Sequence, residues 1–429
     1  MPRPRCDFSR VMTEPPETPQ LRPVEAFPAR VEDREVICLR DPTGLSEAVL
    51  TVPRGLAPIL ALFDGIRSLV EVQAEIMRQC GELVLRSQLE SMVEILDQHL
   101  FLEGPRVDLE RARQQAAFRN SPTRPAFLAG RSYDSEPDAL AATLAGHFEL
   151  PGGPGPIRPP RGVLTRGLVA PHIDFNRSGP AYAWAYRAVA EAQDADCFVV
   201  LGTAHGGLDG YHFAATAKAF ETPFGPLEVD REVLDALVRR APVDLFAAEL
   251  AHRGEHSVEF QAVWLQYLRR RVGGGERRIV PLLASFAHEC LSRGQSPAGQ
   301  PEIEAVLDAL RDGMATVPRR YCIVAGADLA HVGPRFGDEW RAGTTELARV
   351  RSEDRALLTP VVRADAEGFF AEALRQRDRN RICGLSPIYA LLRLLPGGAG
   401  RLLHYGQWPD PEGAVTFASV SFEQEAAGR

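Results

Sequence analysis

Four long apolar runs dominate the hydrophobic pattern of this chain, and each empties into a histidine or an acid-histidine pair. GLVAPHID reaches His172 and Asp174, CFVVLGTAH reaches His205, IVPLLASFAH reaches His288, and YCIVAGADLAH reaches Asp328 and His331. Continuous apolar runs bounded by Gly and Pro, without alternation, predict strands buried on both faces, as in a parallel sheet. Ligands in open α/β sheets gather outside the carboxyl ends of the strands, so these residues are the first candidates for chemistry. Between His172 and His205 a helical stretch, GPAYAWAYRAVAEAQ, precedes the strand CFVVLG. A strand-helix-strand unit of roughly 30 residues with a right-handed crossover puts both histidines at one edge of one sheet, on neighbouring or near-neighbouring strands. There they can share a metal ion.

The same pattern divides the chain. Residues 1–22 are rich in Pro, Glu and Thr without periodicity and are expected to form a disordered tail. Residues 23–104 read as a small winged-helix-like module. Two strand-like runs, EVICLRD and EAVLTVP, are followed by helical patterns at ILALFDGI, SLVEVQAEIMRQC and LRSQLESMVEILDQHLFLE. In the last of these, Leu89, Met92, Val93, Leu96 and Leu100 recur at three- and four-residue spacing, the mark of an amphipathic helix. Residues 105–121 are charged and helix-prone and read as a connector. Residues 122–424 alternate strand and helix in the βαβ manner, which predicts an α/β domain with a central sheet flanked by helices. Its Gly- and Pro-rich segment at 150–162 is expected to be a flexible connection or surface excursion.

Three further clusters carry candidate chemistry. In GEHSVEFQAVWLQYLRR, Glu255 and His256 precede a helix with an apolar stripe of Phe260, Val263, Trp264 and Tyr267. A helix N-terminus favours the carboxylate and keeps the imidazole neutral, which suits ligation or general-base work, and a helix cap with an incidental histidine fits equally. His252 and His256 have the spacing of a helical zinc pair, but Gly254 between them delays the helix start, so the pair is discounted. In GADLAHVGPRFG, Asp328 and His331 are three apart after a strand. On a turn of helix they would face the same way, the aspartate orienting the imidazole as a general base or outer metal partner. A helix-capping Asp328, worth about 1 kcal/mol, is the alternative. Cys383 in RNRICGLSPIYALLRLL stands before a helix opened by Ser386 and Pro387, with Arg379 and Arg381 close in sequence. That setting predicts a depressed thiol pKa and a thiolate ligand or nucleophile, against the reading of an inert buried cysteine.

Composition narrows the classes. Lys plus Arg at 49 against Asp plus Glu at 57 gives a formal charge of −8, with no basic stretch interleaved with aromatics, so no nucleic-acid partner is expected. The polar, proline-rich opening is not a secretory signal, and the sequence lacks an apolar stretch of roughly 18 residues, which predicts no membrane association and a cytoplasmic protein. The seven cysteines form no CxxC pair, which argues against a disulfide framework or a zinc knuckle; Cys197 and Cys322 sit inside apolar runs as small core residues.

The segments AGRSY (129–133), APHIDFNRSGPAY (170–182), LGTAHGG (201–207), TPFGPLEVD (222–230), EHSVEFQ (255–261), ADLAHVGPRFG (327–337) and ICGLSP (382–387) resemble, in order, those of the Memo family. Bacterial members of that family are often called AmmeMemoRadiSam system protein B. The resemblance implies a fold similar to the class III extradiol ring-cleaving dioxygenases and a radical SAM enzyme as partner. It places His172, His205 and Cys383 on the family's metal-binding positions for iron or copper, Asp328 and His331 on the acid and histidine beside the metal, and Glu255 and His256 on its EHS motif. Two departures stand out. Where the family usually has PHAGY, this chain reads Pro171-His172-Ile173-Asp174-Phe175, which removes a tyrosine and adds Asp174 as a further carboxylate near the ligand. Where Arg-His usually follows the cysteine motif, Leu385-Ser386 stands instead. LFDGIRSL and LFLE in the N-terminal module are similar to PqqD-type peptide-recognition modules, which implies a bound peptide.

The function expected on these grounds is a non-haem iron or copper oxidoreductase-like protein, dioxygenase-like in fold, with His331, Asp328, His256 and Glu255 as its acid-base residues. Two other readings stand beside it: a non-catalytic component recruiting a peptide or the radical SAM partner, and a zinc hydrolase.

Overall fold

A computed structural model of the chain describes residues 16–31, 34–41, 44–81, 83–192, 195–395, 397–410 and 412–425. The chain forms two compact units, meeting in sequence between Asn120 and Ser121. Among the described residues no helix is long and apolar enough to cross a membrane.

In the first unit, strands β1 (Glu25–Val31), β2 (Arg34–Arg40) and β3 (Val49–Pro53) form an antiparallel sheet in that order. The helices α1 (Leu69–Cys80), α2 (Arg86–Gln98) and α3 (Pro105–Asn120) follow. Leu89, Val93 and Leu96 on α2 are buried with Val72 and Ile76 of α1 and Leu39 of β2, so the three- and four-residue spacing is the core face. β1 has no counterpart in the predicted strands, because Pro28 and the charged residues of EAFPARV hide an edge strand. Residues 1–15 of the expected tail lie outside the described residues. The rest of that stretch departs from disorder: Gln20 and Leu21 bridge to Asp64 and Leu102, and Arg22 is buried against Asp41 at 3.2 Å.

Among the described residues, the second unit is built on a nine-stranded mixed sheet flanked by helices. Its main strands are β4 (Val163–Ala170), β5 (Cys197–Thr203), β6 (Phe213–Ala215), β7 (Arg278–Ala284), β8 (Tyr321–Gly326), β9 (Asp328–Val332), β10 (Gly400–Asp410) and β11 (Gly413–Glu425). They run in the order β9-β11-β4-β8-β5-β7-β6, with β10 paired to β11 and the short strand Glu228–Val229 paired to β7. The four apolar runs are β4, β8, β5 and β7, side by side and mutually parallel, and every residue of β5 is buried. The carboxyl ends that lead to His172, Asp328, His205 and His288 therefore lie in a row along one edge, with β8 between the two strands that lead to His172 and His205.

Helices α4 (Phe175–Ala190) and α5 (His256–Val272) pack together, and the rings of Trp264, Tyr182 and Tyr186 form a cluster, Trp264 lying 5.6 and 5.4 Å from the two tyrosines. Residues 257–268 of α5 are all buried, so the predicted stripe is one side of a helix enclosed all round. Helices α6 (Thr344–Val362), α7 (Ala366–Gln376) and α8 (Leu385–Leu394) complete the part that bears on the site. The 150–162 segment is fastened, not a loose excursion. Gly152 O accepts from Trp184 Nε1 at 2.8 Å, and Arg158 N donates to Glu191 at 2.9 Å.

Candidate metal centre

β4 ends at Ala170, and the chain turns through Pro171 into buried His172. Two bonds fix that imidazole. Its backbone N–H donates to Asp328 Oδ1 at 2.9 Å, and Nδ1 lies 2.8 Å from Gly326 O. A carbonyl only accepts, so Nδ1 carries the proton and Nε2 presents a bare lone pair. That atom is 3.1 Å from Cys383 Sγ. The close approach depends on missing side chains: a Cβ at Gly326 would stand 2.4 Å from Ser257 O, and one at Gly384 2.5 Å from Asp328 O.

His205 follows the end of β5 and is held in the same way by a carboxylate. Its backbone N–H donates to Glu255 Oε2 at 3.0 Å, and its Nδ1 lies 3.1 Å from both carboxylate oxygens, leaving Nε2 as the available donor atom. Glu255 caps α5 by accepting from Ser257 N at 2.9 Å, so the helix terminus and the imidazole share one carboxylate. Burial works against that charge, but the His205 and His256 imidazoles and the Ser257 N–H outweigh it and hold the Glu255 carboxyl well below the usual range. The ring of His256 stacks on that of His205 at 4.5 Å, with Nδ1 3.4 Å from Glu255 Oε1. Burial pushes His256 down to about 4.

The donor atoms of His172, His205 and Cys383 all lie within 4.8 Å of one another, and so do those of His205, Glu255 and His256. Residues 172, 205 and 383 come from three distant segments, two of them strand ends and the third the turn before α8. Convergence of two imidazoles and a thiol is a donor set suited to a borderline or soft transition metal.

Several expectations change. Cys383 does not have a depressed pKa: burial and then the Asp328 carboxyl push its thiol well up, while Arg379 pairs with Glu353 and Arg381 with Asp338. Asp328 and His331 are on strand β9 rather than a helical turn, and their register against β11 is irregular. Asp328 holds the His172 backbone, whereas the His331 ring is set by Leu329 O, 3.1 Å from Nδ1. Burial raises Asp328 to about 7 and lowers His331 to about 4. Asp174 caps α4 and pairs with Arg177 at 2.6 Å, and it is not in either group of converging donor atoms among the described residues. His288 sits on an exposed helical turn, 3.2 Å from Asp378. Ser386 accepts from Phe286 N and Ala287 N at 3.0 and 2.9 Å, tying α8 to the turn after β7.

The supporting residues had no clear mark in the sequence. Arg124, fully buried, donates to the carbonyls of His252 and Glu255 at 2.9 Å each and pairs with Glu259. Glu259 also accepts from Leu128 N at 2.9 Å and Tyr133 Oη at 2.5 Å. Gln261 Nε2 donates to Pro171 O at 2.8 Å. Polar Glu259 and Gln261 inside an enclosed helix were the available signal.

The family model described as Memo-like protein matches residues 124–424. A MEMO1 family protein of Thermus thermophilus is 31% identical over 339 residues, covering 79% of this chain and 93% of its own length. One from Aquifex aeolicus is 24% identical over 392 residues, covering 90% of this chain and 95% of its own, a span that extends well into the first unit. One from Methanopyrus kandleri is 28% identical over 309 residues, 69% of this chain and 98% of its own. With its matched segment coinciding with the unit that carries the three-residue donor set, this chain belongs to the Memo-like family.

Proposed function

We propose that this protein holds iron or copper between His172, His205 and Cys383 and serves as a non-haem metal oxidoreductase-like protein. The observation that carries the reading is the convergence of those three donor atoms within 4.8 Å, with the Nδ1 of each histidine already engaged by a fixed partner. Imidazoles oriented in this way offer Nε2 without having to be ordered on binding. A bound ion of this kind supplies redox chemistry and open coordination positions. The chain's own residues do the rest. Glu255 fixes the His205 ring and stabilises positive charge beside it, and Asp328 fixes the His172 backbone. His256, whose ring stacks on His205, and His331, both kept neutral by burial, are the proton acceptors of this reading. A free thiol nucleophile fits less well, because burial favours the uncharged forms of both His172 and Cys383.

Metal analysis of protein purified without oxygen tests the proposal. Iron or copper near one equivalent is expected in the wild type and is expected to be lost in His172→Ala. Unchanged metal content in a folded His172→Ala variant refutes the assignment, and stoichiometric zinc in place of a redox-active ion favours hydrolytic chemistry.

A further inference from the structure

The turn that delivers Cys383 has an unusual backbone. Arg377, Asp378 and Arg381 have φ of 55°, 43° and 52°, so three side-chain-bearing residues within five positions occupy the left-handed region. Such conformations persist only where surrounding structure enforces them, and they concentrate at functional sites. Here the enforcement has a clear centre. Glu353, on α6 and buried, receives Asn380 Nδ2 at 2.7 Å and pairs with Arg379. Its backbone carbonyl accepts from Gln376 Nε2 at 3.0 Å, and Arg349, one turn earlier, braces the carboxylate at 2.7 Å. Asp378 closes the turn from within by accepting from Ile382 N at 2.8 Å. The same turn reaches a second candidate residue: Asn380 O accepts from His331 N at 2.7 Å. One buried carboxylate thus grips the segment that precedes Cys383 and, through Asn380, the strand that carries His331.

We propose that Glu353 is a positioning residue for the metal centre. By clamping Arg379 and Asn380 it keeps the left-handed turn in shape, and so sets Cys383 Sγ against His172 Nε2 while Asn380 O holds the His331 backbone. Glu353 does not touch the donor set; it acts through Asn380 and the turn. The inference rests on the proposed metal reading, and its test separates the two.

Metal-free full-length protein is titrated with cobalt(II), followed by the thiolate-to-cobalt absorption in the near ultraviolet and by the visible bands that report the coordination geometry. The wild type is expected to give both. Glu353→Ala is expected to lose the thiolate band and to bind cobalt about 10- to 100-fold more weakly, the usual scale for removing a group that orients a ligand. Glu353→Gln keeps an acceptor for Asn380 and is expected to restore the band. Asp365→Ala removes the N-cap of α7 without touching the turn and is expected to keep it. If Glu353→Ala does not fold, Arg379→Gln removes the outer half of the clamp and is expected to weaken the band. A folded Glu353→Ala variant with wild-type band and affinity overturns the proposal. If the wild type itself binds no cobalt, the metal reading falls, and the rate of iodoacetamide labelling at Cys383, located by mass spectrometry, decides the clamp. A several-fold rise in Glu353→Ala supports it, and an unchanged rate overturns it.

Discussion

Replacing Arg124 by Met tests how the second unit holds its donor set. The guanidinium is fully buried and pairs with Glu259, whose side chain is also fully buried, so the substitution strands a carboxylate in a place that water does not reach. Breaking a buried pair from one side costs about 3–5 kcal/mol. At roughly 2 °C per kcal/mol for a unit of this size, the melting temperature of the metal-free protein should fall by about 6–10 °C. Two consequences can be separated. In Arg124→Met/Glu259→Gln the stranded charge is gone, while the amide still accepts from Leu128 N or Tyr133 Oη, so the double variant should recover about 2 kcal/mol relative to the sum of the singles. The carbonyls of His252 and Glu255 remain without their guanidinium, however, so metal affinity should stay as weak as in Arg124→Met. Thermal unfolding at neutral pH and a metal titration on all four proteins give both quantities. A melting temperature within experimental error of wild type in Arg124→Met refutes the energetic argument. Full recovery of metal affinity in the double variant refutes the claim that Arg124 positions Glu255.

Glu255→Gln should weaken metal binding about 10- to 100-fold, because an amide cannot accept from the His205 backbone, its ring and Ser257 N together; a titration within twofold of wild type counts against the orienting role. Asp354, buried and 2.7 Å from Tyr405 Oη, is raised by burial to about 6, so its favourable contribution is complete below the unfolded value near 4 and disappears as pH rises through 6. Asp354→Asn should therefore gain up to about 3 kcal/mol on the wild type between pH 4 and 8, and parallel stability profiles over that range would contradict it. Arg377→Gly should raise stability by about 0.5–1 kcal/mol, since the left-handed C-cap of α7 suits glycine; a lower denaturation midpoint would show that the turn carries no strain.

The four central strands were legible because burial on both faces leaves a continuous apolar run, and a run that ends in Gly, Pro or His also marks where its carboxyl end opens. His172 and His205 could be placed at one sheet edge from crossover handedness alone. Cys383 could not be placed by such reasoning, and only the resemblance to a family joined it to them. β9 is hidden in the sequence because Asp328 and His331 have a spacing that suits a helical turn, whereas pairing with β11 decides the backbone. β1 is equally hidden, because an edge strand has no need of alternation on its open side and tolerates Pro28.

What stayed hidden follows one physical rule. An apolar residue is placed by its period along its own element, but a polar side chain is placed by whichever partner the tertiary fold brings near. Arg379 and Arg381 flank Cys383 in sequence and bond to Glu353 and Asp338, so the thiol gains no positive charge from them and burial raises it instead. Arg124 and Glu259 are 135 positions apart, yet they form the fully buried pair beside the Glu255 backbone. The donor atoms are therefore a property of strand ends and short motifs, while their orientation is a property of contacts that no local pattern encodes. A substitution that leaves His172, His205 and Cys383 intact can for that reason still disable the site, and Arg124, Gln261 and Glu353 are where this chain exposes itself to that loss.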